Sequence, residues 1–347
     1  MSEHLLVADL PTASPAFAPL LAQLGLPATA ALCRQAVVLE QEPPREDAQA
    51  AWLTPAERWL MRALRLEGDS AESTEQAPWA RLAAMADGVS DAFAADAPVG
   101  LLTPAHLRLG RDSLSLADPA ALDLSVDEAG QLFAAIEPLF ADAGWSLRWV
   151  TPLRWYAAHE SLREVVTAGV ARAQGRSVAA WMPGGPAARP WRQLLTEVQM
   201  TWQHHAVNEA REHRGLPDVN TLWIHGCGPL PADWRSPIRL AENAGEEAVS
   251  DPAISAALRG LALSPRNGPL DTLRVFDARA LLADDPAAGL RQLDVGLCAA
   301  LAEAVQRAGG VRLTLTGEQR WRTLSIRRPQ NWQFWRRTSL ESLLNSL

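Results

Sequence analysis

The chain contains no lysine: all 32 of its basic residues are arginine. Pyridoxal phosphate enzymes, Schiff-base aldolases, P-loop NTPases and protein kinases each depend on one particular lysine, so those chemistries are excluded. Arginine offers fixed two-pronged donors but holds its proton near neutral pH. Any base must therefore be His, Asp or Glu. Histidine is itself absent after His225. The three cysteines, Cys33, Cys227 and Cys298, form no CxxC pair, which points to a reducing compartment. No apolar run reaches the roughly 18 residues of a membrane span. The opening MSEHLLVADLPT has neither the basic start nor the small-residue cleavage site of a leader. The expectation is a cytoplasmic protein with no membrane contact. There is no GxSxG elbow and no GxGxxG turn, so no nucleophilic hydrolase and no dinucleotide or other cofactor is implied.

What the chain does have is length and apolar content. Its 347 residues are 48% hydrophobic with a net charge of −8, enough for a large core and roughly two domains. His4 to Asp9 reads as a buried strand closed by a carboxylate, followed by a helix over 14–25 with a Gly stop. Asp9 is open to two readings, a core strand that ends in Asp or a metal ligand. Residues 28–66 read as helical, with Thr54-Pro55-Ala56-Glu57 as an N-cap, an N1 proline and an early acid. Residues 68–76 read as an exposed loop. Short alternating runs at 99–102 and 106–116 suggest strands. Ser125-Val126-Asp127-Glu128 caps a helix to about residue 143, and 146–150 and 154–158 are strand-like. Further on, 273–276 and 311–315 read as strands, and 290–308 as an amphipathic helix.

The most informative stretch is 191–228, which holds four of the seven histidines. At about 100° per residue, Trp191, Leu194, Leu195, Val198 and Trp202 share one face of a long helix over 190–213. Glu197, His204, Asn208 and Arg211 share the opposite face. Gly215 and Pro217 stop the helix. A strand from Val219 then opens into His225-Gly226-Cys227-Gly228, where glycines would let backbone N–H groups approach an anion. Glu197, His204, Asn208, Arg211, Asn220 and His225 are the candidate ligand-binding residues, for a small anionic ligand or a protein partner. The bland alternative is a solvated helix face before an ordinary core strand. The neighbouring His204 and His205 point about 100° apart on a helix and cannot face one ion; no metal site is expected.

The pattern His205-x-x-Asn208-x-x-Arg211, then Gly215-x-Pro217-x-x-Asn220-x-x-Trp223-x-x-Gly226-x-Gly228, resembles the RpfE-type bacterial regulatory proteins over most of the chain. In shorter blocks it is similar to archaeal-type cofactor-independent phosphoglycerate mutases of the alkaline phosphatase superfamily. The resemblance implies an α/β fold, an alkaline-phosphatase-like core split over 1–94 and 215–347, with a smaller inserted α+β domain over 95–214. It also implies that Glu128-Ala129, Arg154, Trp155 and Tyr156 belong to that inserted domain. The superfamily's two-metal chemistry needs C-terminal histidines. Only Asp284, Asp285 and Asp294 remain in that region, so the resemblance implies a degenerate relative: a regulatory pseudoenzyme with no assigned catalytic residue. A phosphomutase or phosphatase with unconventional metal use is the alternative. A third reading comes from the tail, where Arg320, Arg322, Arg327, Arg328, Arg336 and Arg337 interleave with Trp321, Trp332, Phe334 and Trp335. Arginines neutralise phosphates and aromatic faces stack on bases, so single-stranded nucleic acid is a candidate partner. The acidic whole favours a tail packed on the body.

Overall fold

A computed structural model of the chain describes residues 3–34, 36–43, 51–67, 75–111, 113–241, 252–268, 270–328, 344 and 347. In chain order, the first elements are β1 (Glu3–Ala8), α1 (Phe17–Leu24), α2 (Pro27–Cys33), β2 (Val37–Gln41) and α3 (Pro55–Ala63). Next come α4 (Trp79–Ala86), β3 (Val99–Ala105), β4 (Leu107–Leu109), β5 (Leu114–Leu116), α5 (Val126–Asp142), β6 (Ser146–Thr151) and β7 (Arg154–Ala158). The chain continues with α6 (Val170–Ala173), α7 (Arg189–Gln203), α8 (Ala206–His213) and β8 (Thr221–His225). It ends with β9 (Ile238–Leu240), α9 (Pro252–Gly260), β10 (Asp271–Asp277), α10 (Ala278–Leu281), α11 (Pro286–Ala308), β11 (Gly310–Thr316) and β12 (Trp321–Arg327). The protein is α/β, and it divides into two compact units.

The first unit comprises Met1–Arg65, Arg235–Ser250 and Ser264–Leu347. Its six-stranded sheet has the order β2-β12-β11-β1-β10-β9. β1 lies parallel to both β10 and β11, and β12 is antiparallel to β11 and β2. Leu5, Leu6, Val7 and Ala8 are all buried, as a central parallel strand covered on both faces requires. Leu5 and Val7 pack with Phe17 and Leu21 of α1 and with Leu290, Leu293, Leu297 and Leu301 of α11. His4 faces the other way, its ring 4.6 Å from that of Trp59 on α3 and its Nε2 2.8 Å from the Thr314 hydroxyl. The N-cap expected at Thr54 is present as a capping box with Glu57. The helical reading of 28–66 is interrupted by β2, whose β-branched Val37 and Val38 fit an edge strand on β12.

The second unit comprises Leu66–Trp234 and Asp251–Leu263. Its four strands are antiparallel in the order β6-β7-β3-β8, and β4-β5 form a separate hairpin. One face carries Leu102, Leu147, Trp155, Ala157, Leu222 and Ile224 against Leu132, Ile136 and Phe140 of α5 and the Trp191–Trp202 stripe of α7. These units cut the chain at residues 65/66, 234/235, 250/251 and 263/264, where the sequence reading expects boundaries at 94/95 and 214/215. The reason is pairing: β8 runs along β3 from Thr221 to His225, which draws its segment into the sheet of the second unit.

The long helix expected over 190–213 is two helices. α7 stops at Gln203; His205 is extended (φ −73°, ψ 137°) and its Nδ1 accepts the N–H of Val207 as the N-cap of α8. Asn208 Nδ2 then donates to the carbonyl of Trp202 at 2.8 Å, filling one of the acceptors that a helix end leaves open.

Candidate functional site

The break between α7 and α8 rearranges the residues expected to line a crevice. Glu197 and His204 are exposed on α7 and its C-cap. Asn208 and Arg211 turn inward instead, and Arg211 has no exposed surface. Its Nε donates to Pro217 O at 2.8 Å, Nη2 to Leu122 O at 2.5 Å and Nη1 to Glu128 Oε2 at 3.1 Å. Arg214 reaches the other oxygen of the same carboxylate. Burial pushes the Glu128 carboxyl up, but the N–H and hydroxyl of Ser125, the hydrogen bond from Arg214 and the charge of Arg211 outweigh it and hold it at about 2.

Asn208 and Asn220 work as peptide mimics. Asn208 exchanges two hydrogen bonds with the backbone of Val219, at 2.8 and 2.9 Å. Asn220 does the same with Leu107, accepting from its N–H at 2.7 Å and donating to its carbonyl at 3.1 Å. Each side chain thus closes a stretch of backbone that the ladders leave open. Asn220 also lies against His106, whose Nδ1 is 2.8 Å from the Asp218 carboxylate. So Asn208, Arg211 and Asn220 belong to one clasp joining α5, α8, β4 and the entry to β8. His225 lies at the far end of β8, buried, with Nε2 3.3 Å from the Thr103 hydroxyl.

The glycines after β8 serve close packing. Gly228 donates its N–H to Ala77 O, and Gly226 accepts from Ala80 N. A Cβ at Gly228 would lie 2.5 Å from the Ala77 carbonyl carbon. The N–H expected to meet an anion at Gly228 is therefore taken by Ala77, two residues ahead of α4.

Tyr156 is fully buried and its hydroxyl donates to Asp87 at 2.6 Å; Arg154 grips the same carboxylate with Nε at 2.6 Å and Nη2 at 3.0 Å. Burial and the Asp87 charge push the phenol pKa up, so it stays protonated and works as a strut.

In the first unit the carboxyl ends of the parallel strands form the edge where α/β sheets usually take ligands. Ala8 of β1 pairs with Asp277 of β10, and the next residue, Asp9, has φ +55°, a left-handed conformation that Asp tolerates better than most residues. Its N–H donates to the Thr316 hydroxyl at 2.9 Å. Asp9 and Asp277 thus stand at adjoining strand ends, and Asp277 also caps α10 through Ala280 N. Asp277 escaped the sequence reading although LRVFD repeats the pattern of LLVAD: an apolar run closed by Asp.

The other acids of that region go elsewhere. Asp285 caps α11 and Asp284 is exposed. Asp294 accepts from Ala28 N at 3.1 Å and Thr29 N at 2.8 Å, at the head of α2. Among the described residues, no three His, Cys, Asp or Glu come together as metal ligands. Of the seven histidines, only His4 lies in this unit, and burial together with the Arg312 charge lowers its pKa to about 3.

The tail offers four described cations to the nucleic-acid reading, Arg320, Arg322, Arg327 and Arg328, of which the last two are exposed. Arg328 donates to Gln306 O at 2.8 Å, at the end of α11, a favourable place for a cation. Trp332, Trp335, Arg336 and Arg337 lie outside the described residues. No described helix is long and apolar enough to cross a membrane.

No protein-family model matches the chain, and no curated protein matches it. Among solved structures it is similar to the PH0037 protein from Pyrococcus horikoshii, with a TM-score of 0.50, 12% identity, 99% of this chain and 92% of that one covered. A cofactor-independent phosphoglycerate mutase from Thermoplasma acidophilum DSM 1728 is also found, with a TM-score of 0.40, 13% identity and coverage of 100% and 96%. The first likeness shows a shared fold. The resemblance to RpfE-type proteins rests on the sequence blocks alone.

Proposed function

We propose that the chain is a non-catalytic regulatory protein of the cytoplasm that acts by binding a protein partner. Its first unit is then a degenerate alkaline-phosphatase-like core and its second the inserted one. The observation that carries this reading is Asp294. Both of its carboxylate oxygens accept backbone N–H groups of α2, so an acid in the region where the sequence resemblance would put metal ligands instead holds two helices together. A small anion is the weaker ligand class, because the nitrogens of Arg211 already serve Pro217, Leu122 and Glu128. The partner contact falls on the exposed face of α7, where Glu197, Met200 and His204 recur at helical spacing and Met200 is 68% exposed.

A photo-crosslinking residue at position 200 should give one discrete adduct in cells, and the same residue at Glu67 should not; no adduct at 200 removes this contact. In parallel, purified protein with manganese, magnesium, zinc or cobalt should neither interconvert phosphoglycerates nor hydrolyse an aryl phosphate. One arrangement favours the enzyme reading instead: Asp9 and Asp277 at neighbouring strand ends. Turnover lost on Asp9→Asn or Asp277→Asn would establish that alternative.

A further inference from the structure

Two of the three cysteines sit on helices that run side by side. β2 is antiparallel to β12, β12 to β11, and β11 is parallel to β1, so β2 points the same way as β1. The chain between them must return from the carboxyl to the amino edge of the sheet, and α2 ends that return. α11 makes the same return between β10 and the parallel β11. The two helices therefore run in the same direction, and they pack on the same core.

Their register is fixed at one point. Asp294 of α11 accepts from Ala28 N and Thr29 N of α2, and the Thr29 hydroxyl donates to Asp294 O at 3.3 Å. Four residues further along each helix, about 6 Å down the axis, stand Cys33 and Cys298. Thr29 and Cys33 are the buried residues of α2, so this face of α2 is the packed one. Cys33 is buried and Cys298 partly exposed, both as free thiols, and the charge of Cys298 is felt at Cys33.

We propose that Cys33 and Cys298 form a dithiol modification site, oxidised by small-molecule disulfides to an intramolecular cystine that ties α2 to α11. The more accessible Cys298 thiolate attacks one sulfur of the small disulfide, giving a mixed disulfide and releasing one thiol. Cys33 then loses its proton to solvent and attacks the Cys298 sulfur, releasing the second thiol. Two protein thiols are oxidised and one small disulfide is reduced to two thiols. Burial, with the neighbouring thiol adding to it, pushes Cys33 up to about 12. The closing step therefore speeds up roughly tenfold per pH unit below that value.

The test uses the full chain, reduced and then treated with glutathione disulfide at mildly alkaline pH. After denaturation, the three thiols should fall to one, with an intact mass lower by about 2 Da as two hydrogens leave and monomer mobility on a non-reducing gel. Cys227→Ser should still close the bond, and Cys298→Ser should keep Cys33 titratable. A persistent glutathione adduct on Cys298 beside a free Cys33, crosslinks between chains, or three unreacted thiols would each overturn the proposal. None of these outcomes bears on the partner contact at Met200.

Discussion

Arg211 Nη1 and Glu128 Oε2 meet at 3.1 Å, with the arginine side chain wholly buried and the carboxylate mostly so. This contact joins α8 to the first turn of α5, and Arg211 extends it to the carbonyls of Leu122 and Pro217. Truncating one partner of such a pair leaves a buried charge and carbonyls without donors. Arg211→Ala should therefore cost about 3–5 kcal/mol in a denaturant titration. Arg211→Lys should lose less, because an ammonium can still meet Glu128. The exposed Glu197→Ala and His204→Ala should stay within about 0.5 kcal/mol of the parent. An unchanged midpoint for Arg211→Ala would mean that this side chain is not the clasp described.

Asn208→Asp tests the peptide-mimic role with almost no change in shape. The amide nitrogen donates to two carbonyls, Trp202 O and Val219 O, and a carboxylate would turn acceptor against acceptor there. A loss of about 1–3 kcal/mol or more follows from an unsatisfied buried group, and it should shrink at low pH as the new acid protonates. If Asn208 served a ligand, stability would be unaffected and only binding would fall.

Glycines separate packing from local propensity. At Gly228 a methyl group would meet backbone atoms of Ala77 at 2.5, 2.6 and 2.9 Å, and backbone cannot swing aside as a flexible side chain can. Gly228→Ala should cost at least about 1–3 kcal/mol. At Gly130, inside α5, nothing lies within 4 Å of the added carbon, and Gly130→Ala should stabilise by about 0.5–1 kcal/mol. The same substitution therefore has opposite signs, readable in paired thermal melts.

Local signals were the legible part of this chain. The capping boxes at Thr54 and Ser125, the apolar stripe of α7 and the strand closed by Asp9 follow from rules that act over a few residues. The α7–α8 break was hidden because 204–211 keeps a helical charge pattern; the break depends on the His205 ring and the Asn208 amide finding Val207 N and Trp202 O. Burial of Arg211 was equally unreadable, since two of its three partners, Glu128 and Leu122, lie 83 and 89 residues away. A polar residue on the non-core face of a helix reads as solvated or ligand-facing. Only the fold reveals that another segment of the same chain covers it.

Acid should expose the cost of the partly buried His4. Its ring lies between Trp59 and Thr314, and burial, then the Arg312 charge, lower its pKa from 6.5 to about 3, against a smaller opposing pull from Asp271. Below pH 6.5 the unfolded chain takes up a proton that the folded chain refuses until about pH 3. Stability from this group is therefore complete above 6.5 and drains away as pH falls towards 3, by about 1.4 kcal/mol per unit. Glu128, lowered to about 2 from 4.5, begins to lose its contribution only below 4.5. A comparison between pH 7 and pH 5 thus samples His4 before that carboxylate. His159, also lowered by burial, acts in the same window, so a variant is needed to isolate His4. His4→Gln keeps a polar partner for Thr314 but cannot titrate. Between pH 7 and pH 5 the parent should lose about 2 kcal/mol more than His4→Gln; equal losses would show that His4 takes up its proton as readily folded as unfolded.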